Sequence, residues 1–234
     1  MWDNAALLRN IASALIGFSV LAVLYGAVYY IVHLPGLFPL RSVQLSAAPQ
    51  RVVAEEVLAV ARSEVNGNFF TVDIEHLRQS LEKLSWVRSV TIRREFPDRL
   101  AVQLEEHRAL ARWNGAALVN THGEVFSAWS DDPLPDFIGE AGASLEVAQR
   151  YGEFSRQLAA LNLRVARLAL TPRHAWQLRL SNDLVLELGR EQMQQRLERF
   201  VAVYPYSLAA QASSVRYVDM RYRNGFAVGG MVKS

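Results

Sequence analysis

The stretch "VRSVTIRREFPDRLAVQLEEH", residues 87–107, decides the fold. Val90 and Ile92 alternate with Thr91 and Arg93. Leu100, Val102 and Leu104 alternate with Ala101, Gln103 and Glu105. A period of two is that of a β-strand with one buried and one solvated face. The turn formers Pro97 and Asp98 lie between the two runs. The stretch reads as an antiparallel hairpin with one dry face, and another element must cover that face.

The preceding residues supply the cover. "LRSVQLSA", 40–47, is strand-like through Leu40, Val43 and Leu45. "RVVAEEVLAVARSEV", 51–65, sets Val53, Val57, Val60 and Ala61 at helical spacing until "NGN", 66–68, breaks the pattern. Asp73 is placed to cap a second helix whose Ile74, Leu77, Leu81 and Leu84 share a face. Two helices on one face of three strands close a small core. The order strand, helix, helix, strand, strand resembles a POTRA domain, a docking module of the periplasmic or extracellular side of membranes. Its expected bounds are 40–113.

Upstream, no Asp, Glu, Lys or Arg occurs between Arg9 and Arg41. The centre of that gap, Ile11–Val32, spans roughly 33 Å as a helix, the thickness of a bilayer core. A cleaved signal peptide would have a shorter apolar region ending in a small-x-small site, whereas here the run continues into Tyr29, Tyr30, Ile31 and Val32. A transmembrane helix is expected over 11–32. Trp2 at one end and Tyr25, Tyr29 and Tyr30 at the other suit the two interfaces, and Pro35 and Pro39 stop the helix. Charge does not set the orientation, because Arg9 faces Arg41 and Arg51 across the span. A short head, 1–10, and a large C-terminal body point to a cytoplasmic N-terminus.

Behind the first unit, 114–230 reads as a mostly β domain with a short tail, 231–234. "AALVNTHGEVFSAW" is a hairpin turning at His122-Gly123, and "DDPLPDFIG" a Pro-rich connection. Val147, Tyr151, Phe154, Leu158 and Leu161 form an amphipathic helix. Strands follow around "RVARLALT", "AWQLRLSN" and "LVLELGR". A last helix carries Met193, Leu197, Phe200, Val201 and Tyr204. In "YVDMRYRNGFAVGG", 217–230, Val218, Met220 and Tyr222 alternate with Asp219, Arg221 and Arg223. Asn224-Gly225 is compatible with a hairpin turn, and a bend or bulge within one long strand is the other reading. The fold class is α+β, with the last strand as an exposed edge.

The 25 cationic and 23 anionic side chains are interspersed, for a net charge of +2, so no basic face marks a nucleic-acid binder. There is no cysteine for a disulfide, a thiol nucleophile or a thiolate metal site. No H-E-x-x-H, G-x-S-x-G or phosphate-loop pattern occurs. Glu55-Glu56 and Glu105-Glu106 read as solvated surface. Arg93 and Arg94 read as a solvated strand face, and Trp86, Trp113, Trp129 and Trp176 as core or rim packing. No enzyme activity, cofactor or metal is expected.

The ordered set of elements resembles the bacterial cell-division family FtsQ/DivIB. The carriers are "SWVRSVTIRREFPDRLAVQLEEHRALARWN", 85–114; "LVNTHGEVF", 118–126; "RFVAVYP", 199–205; and "YVDMRYRNGFAVG", 217–229. The resemblance implies a non-enzymatic, single-pass protein of the inner membrane. Its N-terminus would be cytoplasmic and its body periplasmic at the septum, where it gathers FtsB, FtsL and other divisome proteins, the latter through the POTRA unit. A POTRA-bearing component of outer-membrane assembly or secretion is the alternative.

Arg173, after Pro172, matches a family position that pairs with an acidic residue of FtsB. The partner-binding candidates are Arg173, Arg221, Tyr222, Arg223, Asn224, Gly225, Phe226, Ala227, Val228 and Gly229. The expected mode is addition of a partner strand to the last edge.

Overall fold

The computed structural model describes residues 5–34, 36–211, 215–223 and 225–230. Helix α1, Ala5–His33, contains a candidate span, Leu8–His33, whose one charged residue is Arg9, with mean hydropathy 2.2 and no burial against the protein. It is long and apolar enough to cross a membrane.

The chain then divides into two compact units, one ending at Glu106 and one beginning at His107. The first contains β1 (Ser42–Leu45), α2 (Ala54–Glu64), α3 (Ile74–Leu81), β2 (Val87–Glu95) and β3 (Arg99–Glu106). β3 is central, parallel to β1 and antiparallel to β2. Val57 and Ala61 of α2, Leu77 and Leu81 of α3, and Leu100 and Val102 of β3 are fully buried. This is the core that the two periodicities call for. Asp73 caps α3 by accepting the His76 N–H at 2.9 Å. Val53 stands at the N-cap of α2, one step outside the buried face, and is exposed.

Two polar side chains expected on the solvated surface also have structural roles; Arg94 is exposed as expected, and Glu106 is half-buried. Arg94 donates to the backbone carbonyls of Phe69 (2.8 Å) and Val72 (3.0 Å), tying β2 to the loop before α3. Glu106 accepts the backbone N–H groups of Gln50, Arg51 and Val52 at 2.8–2.9 Å. Those donors precede α2, and a carboxylate brought from β3 satisfies them.

Besides short 3₁₀ and π turns that follow the helices, the second unit has nine strands and two α-helices among the described residues. They are β4 (Ala109–Trp113), β5 (Ala117–Asn120), β6 (Val125–Phe126), β7 (Asp136–Ile138), α4 (Ser144–Leu158), β8 (Val165–Leu170), β9 (Trp176–Leu180), β10 (Val185–Gly189), α5 (Met193–Val203), β11 (Tyr217–Asp219) and β12 (Ala227–Gly229). The strands form one sheet, ordered β12-β11-β10-β9-β8-β7-β4-β5-β6. Trp113, Phe137, Leu168, Leu178, Leu186 and Val218 are successive register partners across six strands. All six are buried in the main core. Helix α4 packs on β8, α5 packs on β10, and the helices touch each other.

Three expectations change here. "ALARW", 109–113, placed at the end of the first unit by its sequence, is a strand of the second sheet, paired with β5 and β7. The Pro-rich connection contains β7, which lies parallel between β4 and β8 and is too short for its alternation to be visible. Trp113 and Trp176 are buried, but Trp129 is 78% exposed, its indole N–H donating to Asp131.

Candidate partner-docking edge

β10 and β11 are parallel, so the chain between them must cross over, and α5 provides that crossing. β11 ends at Asp219 for a local reason. The Asp219 carboxylate accepts the backbone N–H of Arg221 at 2.9 Å, a side-chain bond that competes with the sheet ladder. The alternation read through Tyr222 therefore stops early, and Tyr222 is exposed rather than inward.

Arg199 of α5 then donates to the carbonyls of Tyr222 (3.1 Å) and Arg223 (2.7 Å), holding the turn from the helix side. Asn224 lies outside the described residues. Phe226 returns to pack against the core. β12 pairs antiparallel with β11 through Tyr217↔Gly229, Val218↔Val228 and Asp219↔Ala227. The long-strand reading is set aside, because the chain turns and comes back.

β12 is the last strand of the sheet, and no described strand pairs with its outer side. Val228 prolongs the buried row that ends at Val218, yet it is 39% exposed. Gly229 lies under the Tyr217 ring, and Gly225 borders open space. Ala227 is exposed.

Beside this hairpin, Arg173, Arg190, Arg196 and Arg221 line an open cleft of ≈ 390 Å³ with Ala175, Glu191 and Gly189. Gly189 makes the cleft possible. Its φ is +73°, and a Cβ would fall 2.8 Å from Nη1 of Arg196 and 3.1 Å from Cγ of Arg221. Arg196 Nη1 donates to the Leu188 carbonyl at 2.5 Å. The Arg221 guanidinium grips Asp219 and holds that carboxyl below its ordinary range despite partial burial. Asp219 in turn holds the guanidinium above its own. Arg190 pairs with Glu191 at 3.4 Å. Among the described residues, Arg173 has no carboxylate partner.

The tertiary structure thus brings Arg173 and Arg221 to one cleft, with the β12 edge one strand away. Tyr222 and Arg223 stand on the exposed turn between them. Asp219, Gly189, Arg196 and Arg199 were missed by sequence reasoning. The three-residue spacing of Arg196 and Arg199 on one helix face was the available signal. Chemically, the cleft offers charge-assisted donors to a carboxylate and the edge offers main-chain pairing. Among the described residues, no group of His, Asp and Glu is arranged to hold a metal ion.

One long apolar helix, a βααββ unit and a sheet that ends in a short hairpin define a POTRA-bearing protein with one candidate membrane span among the described residues. Residues 38–107 match the model of the FtsQ-type POTRA domain, and residues 111–221 match that of the C-terminal domain of cell division protein FtsQ/DivIB. The chain is 41% identical to cell division protein FtsQ of Nitrosospira multiformis, across 98% of this chain and 99% of that one. It is 36% identical to that of Burkholderia pseudomallei (97% and 94%) and 35% identical to that of Bordetella pertussis (97% and 92%). The chain belongs to the FtsQ/DivIB family of cell-division proteins.

Proposed function

We propose that this protein is a non-enzymatic scaffold of the divisome that captures the periplasmic part of FtsB, together with FtsL, by adding a partner strand to β12. The reading also takes α1 as an inner-membrane span with its N-terminus in the cytoplasm and both units in the periplasm at the septum. The POTRA unit would serve further divisome partners.

The observation that carries the reading is Val228. It lies in register with a buried row six strands long and is itself half-covered. A further strand would complete that cover and pair the outer backbone groups of β12. Arg173 would meet an acidic side chain of the same partner, setting register more than affinity.

The test is the full chain in detergent or vesicles, with FtsB as the partner. Deleting residues 223–234, or introducing Val228→Pro, is expected to abolish capture while the first unit keeps its unfolding transition. Capture that survives both changes places the docking surface elsewhere.

A further inference from the structure

The end of α1 is fastened directly to the first unit. The buried Asn68 side chain donates to the carbonyls of Val32 (2.6 Å), in the last turn of the helix where carbonyls lack intrahelical donors, and Leu34 (3.3 Å), which also accepts the Leu37 N–H at 3.1 Å. Its Oδ1 meanwhile accepts the N–H groups of Phe70 and Thr71, both at 3.0 Å. Phe69 N–H donates to Phe38 O at 2.9 Å. Loop 66–72 is therefore held at the height of the last turn of the apolar helix, only a hydrogen bond away from it.

Three aromatic rings gather at that height without being buried. Phe38 is 38% exposed, Phe70 44% and Phe96, in the β2–β3 turn, 72%. With the buried Phe69 as the link to Phe96, they form one chain of edge-to-face contacts among four rings. Phe38 meets Phe70 at 5.0 Å, Phe70 meets Phe69 at 5.1 Å, and Phe69 meets Phe96 at 6.1 Å. Phe38 reaches this position with φ of +60°, a left-handed conformation that bulky residues rarely adopt. Its backbone thus turns the ring onto Phe70, outside the core.

We infer that Phe38, Phe70 and Phe96 are a lipid-contacting tip, seated in the headgroup region of the leaflet that α1 leaves, and that this tip sets the tilt of the POTRA unit on the membrane. The occupant is a lipid surface because the tip is continuous with a helix of membrane-spanning length and apolarity. Exposed aromatic rings at the end of a span are suited to the water–lipid boundary, and an apolar group of this kind facing water is otherwise unfavourable. Arg41, 76% exposed at its side chain, lies at the same end, where its backbone N–H donates to Asp98 O and its guanidinium pairs with the Asp98 carboxylate at 3.6 Å. The inference does not depend on strand capture at β12; it rests on α1 being a span.

The chain has no cysteine, so single sites can be spin-labelled cleanly. The full-length protein would carry Phe96→Cys, Phe70→Cys, Lys83→Cys or Leu21→Cys, in vesicles of phosphatidylethanolamine and phosphatidylglycerol. Lys83 lies just beyond α3, at the opposite end of a hairpin strand roughly 26 Å long. Collision with lipid-soluble oxygen is compared with collision with a water-soluble nickel chelate. The expected oxygen-to-nickel ratio is highest at Leu21, several-fold above Lys83 at Phe96 and Phe70, and lowest at Lys83. Ratios at Phe96 and Phe70 equal to that at Lys83, with Leu21 in lipid, overturn the tip while leaving the span intact. Shielding of Phe96 from both probes points to a protein contact and overturns it as well. A water-exposed Leu21 removes the span and the inference with it.

Discussion

Arg221 closes its guanidinium on the Asp219 carboxylate, with Nε 2.9 Å from Oδ1 and Nη2 2.7 Å from Oδ2, while its own backbone N–H also reaches Oδ1 at 2.9 Å. One carboxylate therefore both ends β11 and aims the first cation of the following turn. The two ends differ in setting: the Asp219 side chain is 8% exposed and that of Arg221 57%.

Asp219→Asn keeps the shape and removes the charge. It is expected to cost about 1 kcal/mol in urea denaturation, at the low end for charged hydrogen bonds because water screens the Arg221 side. The folded pKa of Asp219 lies below the unfolded 3.8, so the ionised form is the one folding favours. Its contribution is full above pH 3.8 and is lost as pH falls through the lower, folded value. Wild type and variant should therefore converge on acidification. A gap that stays constant with pH would show that the ionisation of Asp219 contributes nothing to it.

Glu106→Gln tests the carboxylate that gathers the donors of residues 50–52. Burial alone would push its carboxyl up, but the N–H groups of Gln50, Val52 and Arg51 together outweigh burial and leave it below 4.5. The variant should lose ~1–3 kcal/mol at neutral pH. The gap should close as pH falls past 4.5 and through the folded value. Thermal unfolding across that window is the measurement, and a pH-independent gap contradicts the account.

Arg199→Ala removes the two bonds that hold the Tyr222 and Arg223 carbonyls. The expected cost is about 1 kcal/mol. Amide exchange should accelerate over Tyr217–Val228 and not in α5. Uniform acceleration of both would mean that Arg199 serves the whole unit rather than the turn.

Tyr222 and Phe226 are four residues apart and differ in environment. Tyr222 is 58% exposed, whereas Phe226 packs on the core. Tyr222→Ala should change folding by no more than ~0.5 kcal/mol and, on the proposed function, weaken FtsB binding by about 2 kcal/mol. Phe226→Ala should lower stability and binding together. Titration calorimetry beside thermal melts separates the two, and a destabilised Tyr222 variant would contradict its exposed position.

Gly189→Ala should destabilise by about 1–3 kcal/mol, since the new Cβ meets Arg196 and Arg221 at a positive φ. Gly225→Ala opens onto empty space and should be neutral in denaturation. Equal effects at the two glycines would refute the close approach at Gly189.

The first unit was legible because its pattern is long enough to average over. Leu100, Val102 and Leu104 declare a strand, and Leu77 and Leu81 a helix face, without any knowledge of their partners. β7 was not legible, since three residues cannot display an alternation. Nor was the allegiance of "ALARW", because a strand reads the same whichever sheet it joins, and its hydrogen bonds to β5 and β7 decide the matter.

The candidate docking edge divides in the same way. The sequence by itself determined an apolar helix of membrane length, two successive α/β units, and a terminal segment rich in Arg, Tyr and Gly. Each of these is a property of neighbours along the chain, carried by hydrophobic period and turn chemistry. Only the tertiary structure decided that this segment turns back as β12, that Asp219 neutralises Arg221, and that Arg199 holds the turn from a helix more than twenty residues earlier. Those outcomes depend on bonds that hydrophobic period does not report: the Asp219–Arg221 pair is local but polar, and the Arg199 bonds and the β11–β12 pairing need β11 placed against β10 by the parallel crossover through α5.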